Sequence, residues 1–516
     1  MCDLVFRPYR STSAETAGFD RERYYGVSGS MAFVVSPVPA FQRRFVQAEP
    51  RFIQYHRKLA PARNLSYIRR GLLPPQRLCL QQRVEPALHE SFRFLRDGSV
   101  TTPEGFRAAA MAAGLKPSGA PDLALLYSPL PCIAAGVFTQ SVLAAAPVRF
   151  CRAQLAQADQ RVQAILINSG QANAATGTAG DIDAQQTAEA VARSLKISPA
   201  AVLLASTGVI GKRIPMDLLL DAVPRIVELV SRADASSIGG TLAARAIMTT
   251  DLVPKHIAGE AFMPDGRRIR VGAMAKGSGM IHPNMATMLA FATTDAEMKS
   301  TTWQKLLRNA ADQSFNQITV DGDTSTNDTL LGLANGAAGV SIPDDERSIE
   351  YRVIRDLLTA VLQHCAKAIA RDGEGANVLL EVRVSGARSD AEARQLARCV
   401  ASSALCKAAV FGKDPNWGRV AAALGRAGVP FDPMHLEIAL GPHQLMTAGQ
   451  PVPYDAEAAR RYLADAAAAG KNAETYNTAA DTVTFEIRVG QGPGMGLAWG
   501  CDLSYDYVRI NAEYTT

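Results

Sequence analysis

The chain has 516 residues, 47% of them hydrophobic and 20% charged, a balance that supports a large packed core and excludes a disordered or fibrous protein. Its net charge of +5 is uneven: residues 1–97 hold 16 Lys/Arg against 8 Asp/Glu, so the remainder is slightly acidic and offers no basic surface to a nucleic acid. The eight cysteines include no C-x-x-C pair and the seven histidines show no ligand spacing, which points to reduced thiols in a cytosol-like compartment and to no metal site.

In chain order, residues 1–97 come first, an Arg-rich extension almost without lysine. Asp3, Glu15, Asp20 and Glu22 argue against a mitochondrial presequence, and the first 30 residues lack an apolar signal core. A regular pattern starts near Ser99. Leu123–Val148 is uncharged, but Pro129, Pro131, Gly136 and Pro147 interrupt it, so it is read as two buried strands joined by turns and not as a membrane span. Val162–Ile167 is a strand-like run ending in the loop 168–177, and a helix pattern covers about 182–196. A second run, Ala201–Ala205, stops at Ser206-Thr-Gly-Val-Ile-Gly211. A third, Ile269–Ala275, leads into Lys276-Gly-Ser-Gly-Met280. Thr287–Thr293 reads as a strand, 300–314 and 347–371 as helices, and Thr482–Val489 as a half-buried strand. Strands and helices mix without a strict βαβ repeat, which predicts two layers of sheet covered by helices.

The segment that carries chemistry runs from Lys276 to Phe291: a glycine-loosened loop, a proline, then Ala286 and Thr287 opening a strand. An alcohol is a poor nucleophile without a base beside it. A threonine that begins a chain has such a base in its own α-amine, whose unperturbed pKa is about 7.7–8. An internal Thr287 reaches that state only if the Ala286–Thr287 bond is cut, and a residue as small as Ala286 leaves that bond open to the Thr287 hydroxyl. Taken alone, Ala-Thr-Met-Leu is an ordinary strand start. The P-loop spacing is absent.

With its neighbours the segment resembles the self-cleavage signature of the ornithine acetyltransferase (glutamate N-acetyltransferase) family. The resemblance extends from about Ser99 to Thr516. It includes Gly136-Val-Phe-Thr139, Ala146-Pro-Val148, Asn168-Ser-Gly170 with Ala172-Asn-Ala174, Ser206-Thr-Gly-Val-Ile-Gly211 and Met248-Thr-Thr-Asp251. It continues through Thr319-Val-Asp-Gly-Asp-Thr-Ser-Thr-Asn-Asp328, Asp372-Gly-Glu-Gly-Ala376, Asp414-Pro-Asn-Trp-Gly-Arg419 and Tyr505-Asp-Tyr-Val-Arg-Ile-Asn511. It implies an α/β fold, a layered sandwich of sheets covered by helices, of the self-cleaving N-terminal-nucleophile type (the DmpA/ArgJ-like fold). Cleavage would divide the enzyme into an alpha chain, 99–286, and a beta chain, 287–516, with a dimer of two-chain units expected.

The resemblance also implies residue roles. Thr287 would be the self-cleavage nucleophile and the acetyl acceptor, with Thr207 and Gly208 forming the oxyanion hole. Thr249 or Thr250, Lys276, Glu374, Asn511 and Thr516 would line the substrate site. Acetyl would pass from N-acetylornithine to glutamate in arginine biosynthesis, without metal or cofactor, with acetyl-CoA a second donor in some members. A cytoplasmic enzyme is expected, or one of the mitochondrial matrix in a eukaryote. Three positions depart from the family pattern: Asn377-Val378 where Thr-Lys is expected, Leu252 where a threonine is expected, and Ala408 likewise. Asn377-Val378 follows the proposed ammonium site, so substrate preference is the open point. An amidase or aminopeptidase with the same nucleophile, and an uncleaved binding relative, are the competing readings. Asp321, Asp323 and Asp328 lack the final glutamate of a twelve-residue calcium loop and read as a structural acidic loop.

Overall fold

A computed structural model describes residues 92–157, 161–282, 288–471 and 478–513. Strands β1 (Phe92–Leu95), β2 (Arg107–Met111) and β3 (Leu123–Phe138) lead to helix α1 (Ala146–Leu155), β4 (Arg161–Gln171), α2 (Gly177–Leu195) and β5 (Val202–Val209). Then come α3 (Met216–Val230), α4 (Gly239–Ala246), β6 (Lys255–Phe262), β7 (Arg268–Lys276), β8 (Leu289–Thr294), α5 (Ser300–Asp312), β9 (Thr329–Ala334) and α6 (Ile349–Arg371). The last part holds β10 (Leu379–Ala387), α7 (Asp390–Ala401), α8 (Ala404–Phe411), α9 (Trp417–Gly425), β11 (Glu437–Leu440), β12 (His443–Thr447) and β13 (Gln450–Pro451). It ends with α10 (Ala456–Ala469), β14 (Thr482–Arg488), β15 (Gly494–Cys501) and α11 (Tyr505–Glu513).

One sheet runs β1-β6-β7-β8-β9-β3-β4-β5, with β2 paired to β3. It doubles back on itself through β3. The first half of β3 pairs with β2 and β4, and its second half, Ile133–Phe138, pairs with β9. Phe106, Leu126, Ile167 and Leu203 from one layer meet Met274, Phe291 and Leu331 from the other in a shared core. Burying each of these large side chains contributes about 1.5–3 kcal/mol. Helices α2 and α3 cover one outer face, through Val191, Leu219, Val223 and Ile226. Helices α5 and α6 cover the other, through Trp303, Leu307, Leu358 and Leu362. A second sheet, β13-β12-β11-β14-β10-β15, has its own core with α7 and α10. The expected layering is therefore present, although both main layers belong to one bent sheet.

Leu123–Val148 differs from the expectation. It is one 16-residue strand followed by a helix that contains Val148, not two strands. Proline donates no ladder hydrogen bond, so Pro129 and Pro131 read from sequence as interruptions of the run. They instead occupy the irregularity between Tyr127 and Cys132, where β3 changes partners. The second run also extends further than read: β5 continues to Val209, so Thr207 and Gly208 lie in the strand. β1 falls inside the 1–97 stretch and pairs with β6; the rest of that extension lies outside the described residues. Among the described residues no helix is long and apolar enough to cross a membrane. Strands β8 and β9, both after position 287, are inserted between β7 and β3, both before it.

Candidate active site

Segments far apart in the chain converge on a cleft of about 370 Å³, lined among others by Thr207, Gly208, Thr249, Thr250, Lys276, Glu374 and Asn511. Ala286, Thr287 and Thr516 lie outside the described residues. Met288, which follows Thr287, also lines the cleft.

Parallel pairing of β4 with β5 sets Ser169 beside Thr207 and Gly170 beside Gly208. Gly208 has φ +123°, and a Cβ there would lie 2.4 Å from the Gly170 carbonyl carbon and oxygen, so only glycine lets the strands approach this closely. The Asn327 side chain ties the floor together, donating to Ala172 O (2.6 Å) and Ser206 O (2.8 Å).

Lys276 ends β7 and is buried. Its Nζ donates to Thr207 Oγ1 at 3.4 Å. Burial pulls its ammonium below the ordinary lysine range, against the opposing pull of Asp251. Asp251 accepts from Gly277 N (2.7 Å) and Thr249 N (3.0 Å), which fixes the backbone just after Lys276 and at Thr249. Burial alone would raise the Asp251 carboxyl, but Lys255 and Lys276 outweigh it and hold it well below the carboxylate range.

Helix α6 delivers Glu374. Ser348 caps its N-terminus by accepting from Tyr351 N at 3.1 Å, and the helix ends at Arg371, just before Asp372-Gly-Glu-Gly375. Glu374 Oε2 accepts from Asn511 Nδ2 of α11 at 2.8 Å. A Cβ on Gly279 would come within 2.5 Å of the Glu374 carboxylate, which explains the second glycine of Lys276-Gly-Ser-Gly279. The cleft lining thus contains one buried cation, Lys276, and the carboxylate of Glu374.

Of the acidic loop, Asp321 holds the chain ahead of position 287, accepting from Met280 N (2.6 Å) and Ile281 N (2.9 Å). Asp328 instead lines the cleft, a placement the sequence reading missed. The only signal was its position at the end of the Thr319–Asp328 motif. Burial pushes its carboxyl well above the ordinary range, against the Met288 N–H and Lys276, and Oδ2 has no hydrogen-bond partner among the described residues. The native state therefore binds a proton here that the unfolded chain releases near pH 4, so this group makes stability fall as pH rises from about 4 toward its native pKa. Asp328→Asn, which mimics the protonated acid, should flatten that slope and raise Tm at pH 8 by at least about 2 °C. Matched slopes of Tm against pH in the two proteins would refute this.

The three departures from the family pattern lie off the cleft lining. Asn377 donates through N and Nδ2 to Asp502 (2.7 and 2.8 Å), and Val378 is buried in the second core. The Leu252 side chain is exposed, and Ala408 lies in α8. Asp414–Arg419 is a packed helix start, with Asn416 capping Arg419 N at 3.1 Å.

The ArgJ family model matches residues 107–516. The chain is 57% identical over 419 residues to the arginine biosynthesis bifunctional protein ArgJ of Thermosynechococcus vestitus, covering 81% of this chain and 98% of that one. It is 55% identical over 419 residues to ArgJ 1 of Nostoc, with the same coverage. A crystal structure of ornithine acetyltransferase complexed with ornithine, from Mycobacterium tuberculosis, is 44% identical, with TM-score 0.34, covering 38% of this chain and 99% of that one.

Proposed function

The chain belongs to the ArgJ family, and from that premise we propose that it transfers acetyl from N2-acetyl-L-ornithine to L-glutamate through an acetyl-Thr287 intermediate. The observation that carries this reading is the cleft itself. It brings Thr207, Gly208, Lys276, Glu374 and Met288 together in one lining, with Lys276 Nζ 3.4 Å from Thr207 Oγ1.

Self-cleavage between Ala286 and Thr287 frees the α-amine of Thr287. That amine takes the hydroxyl proton as Oγ attacks the acetyl carbonyl. The Thr207 hydroxyl and Gly208 N–H receive the oxyanion; one such donor is typically worth about 10²–10³ in rate. Collapse breaks the C–N bond, the proton passes to the leaving amine, and ornithine departs. The glutamate amine then attacks the acetyl ester, gives its proton back through the α-amine, and leaves as N-acetylglutamate with the Thr287 hydroxyl restored. Lys276 holds the substrate carboxylate and Glu374 its ammonium, oriented by Asn511, while Thr249, Thr250 and Thr516 close the site. Acetyl-CoA is a second acetyl donor, no metal or cofactor takes part, and the unit is a dimer of two-chain protomers. Described residues hold six cysteines, all free, which supports a reducing compartment such as the cytoplasm.

The test uses N-acetylornithine labelled with ¹³C in its acetyl group. Labelled N-acetylglutamate should form with parallel-line kinetics, and acetate release without glutamate should be at least about tenfold slower. Equal release of acetate with and without glutamate would establish a hydrolase instead.

A further inference from the structure

Behind the cleft wall lies an ion cluster that the proposed mechanism does not use. Lys255 opens β6, and its Nζ sits 2.7 Å from Asp251 Oδ1 and 2.6 Å from Asp372 Oδ2. The three side chains are 0–1% exposed. Buried ion clusters are poor stabilisers, since replacing one with packed neutral side chains is often neutral or favourable. Stability therefore gives little reason for three charges here.

Their hydrogen bonds give a different one. Asp251 also accepts from Thr249 N and Gly277 N, and so holds the backbone on both sides of the carboxylate-binding wall. Asp372 Oδ2 accepts from Leu252 N (3.0 Å), and its carbonyl accepts from Ser278 Oγ (2.7 Å). Glu374 N in turn donates to Ser278 O at 3.1 Å. The Lys255 ammonium thus adds a charged link to these direct hydrogen bonds between the segments carrying Thr249 and Lys276 and the segment carrying Glu374. The four buried charges, with Lys276 included, cancel.

We propose that Lys255 is a positioning residue that fixes the spacing between Lys276 and Glu374, and so matches the cleft to the α-carboxylate and the side-chain ammonium of N2-acetylornithine. This rests on the reading of that pair as the amino-acid site. A cleft that merely needed a cation could tolerate a looser wall. A site that must meet both ends of a zwitterion needs the distance held, and a 1 Å error is costly in such geometry.

Lys255→Met alone strands two buried carboxylates without their cation and risks misfolding. The decisive variant is therefore the neutral triple D251N/K255M/D372N, in which an amide oxygen can still accept from Leu252 N and from one of Thr249 N and Gly277 N. Intact mass, Tm, calorimetric L-ornithine binding and steady-state transfer should be measured on it and on the wild type. The expected triple variant cleaves itself and stays folded, but its ornithine Kd and N-acetylornithine KM rise at least about tenfold while kcat changes less than about threefold. Unchanged Kd and KM in the folded variant would overturn the proposal, as would loss of self-cleavage, which would make the cluster a support of the whole cleft. A wild type that binds ornithine but transfers no acetyl would sink the transferase reading and leave the binding comparison valid. A wild type that binds no ornithine would overturn both.

Discussion

Thr287→Ala is expected to leave the 516-residue chain whole, while the wild type gives a second chain beginning at Thr287. Denaturing intact-mass measurement of freshly purified protein reads this directly. The same hydroxyl serves cleavage and acetyl transfer, so acetyl transfer in the mutant should fall to background. Removing a covalent nucleophile in a comparable acyl-transfer enzyme costs on the order of 10⁶ in kcat. Thr287→Ser keeps an oxygen nucleophile and should still cleave, at a reduced rate. Under native conditions the two wild-type chains should run together, because β8 and β9 of the second are hydrogen-bonded between β7 and β3 of the first. A Thr287→Ala protein that is cut at the same bond would transfer the role to another group. A wild type that stays whole would favour the uncleaved binding relative.

What the sequence disclosed depended on range. The layered α/β architecture was legible because α5, α6 and β14 carry their period locally; β14 alternates buried and half-buried residues throughout. The site motifs were legible as a family resemblance, but their geometry was not. Thr207-Gly208 reads as a turn until the long-range ladder with Ser169-Gly170 makes it strand. Lys255 drew no notice in the sequence, since one of its two partners, Asp372, lies 117 residues on. Asp328 reads as one more acid in a polar loop, since only the folded chain shows its burial at the cleft. The prolines of β3 misled for a local reason, because propensity cannot tell a bulge from a break.

Gly208→Ala should also damage the enzyme severely, though less than loss of the nucleophile and by another route. The new methyl would sit 2.4 Å from the Gly170 carbonyl, and that neighbour is backbone in a paired strand, which cannot swing aside as a side chain can. A non-glycine residue at φ +123° adds strain of about 1–3 kcal/mol, and overpacking adds about another 1–3 kcal/mol. Together these approach the 5–15 kcal/mol that holds a typical domain together. If the chain folds at all, β5 must move away from β4 and take the Gly208 N–H with it. The proposed oxyanion donor is then misaimed, and self-cleavage should slow by about 10²–10³. Gly211→Ala is the control: φ is +82° there and nothing lies within 4 Å, so it carries strain without collision and should cleave normally with a modest loss of Tm. Equal cleavage rates in the two variants would show that the close β4–β5 approach has no part in aiming the donor. Slow cleavage confined to Gly208→Ala, in protein that remains folded, would tie the narrow spacing of these two strands to the chemistry at position 287.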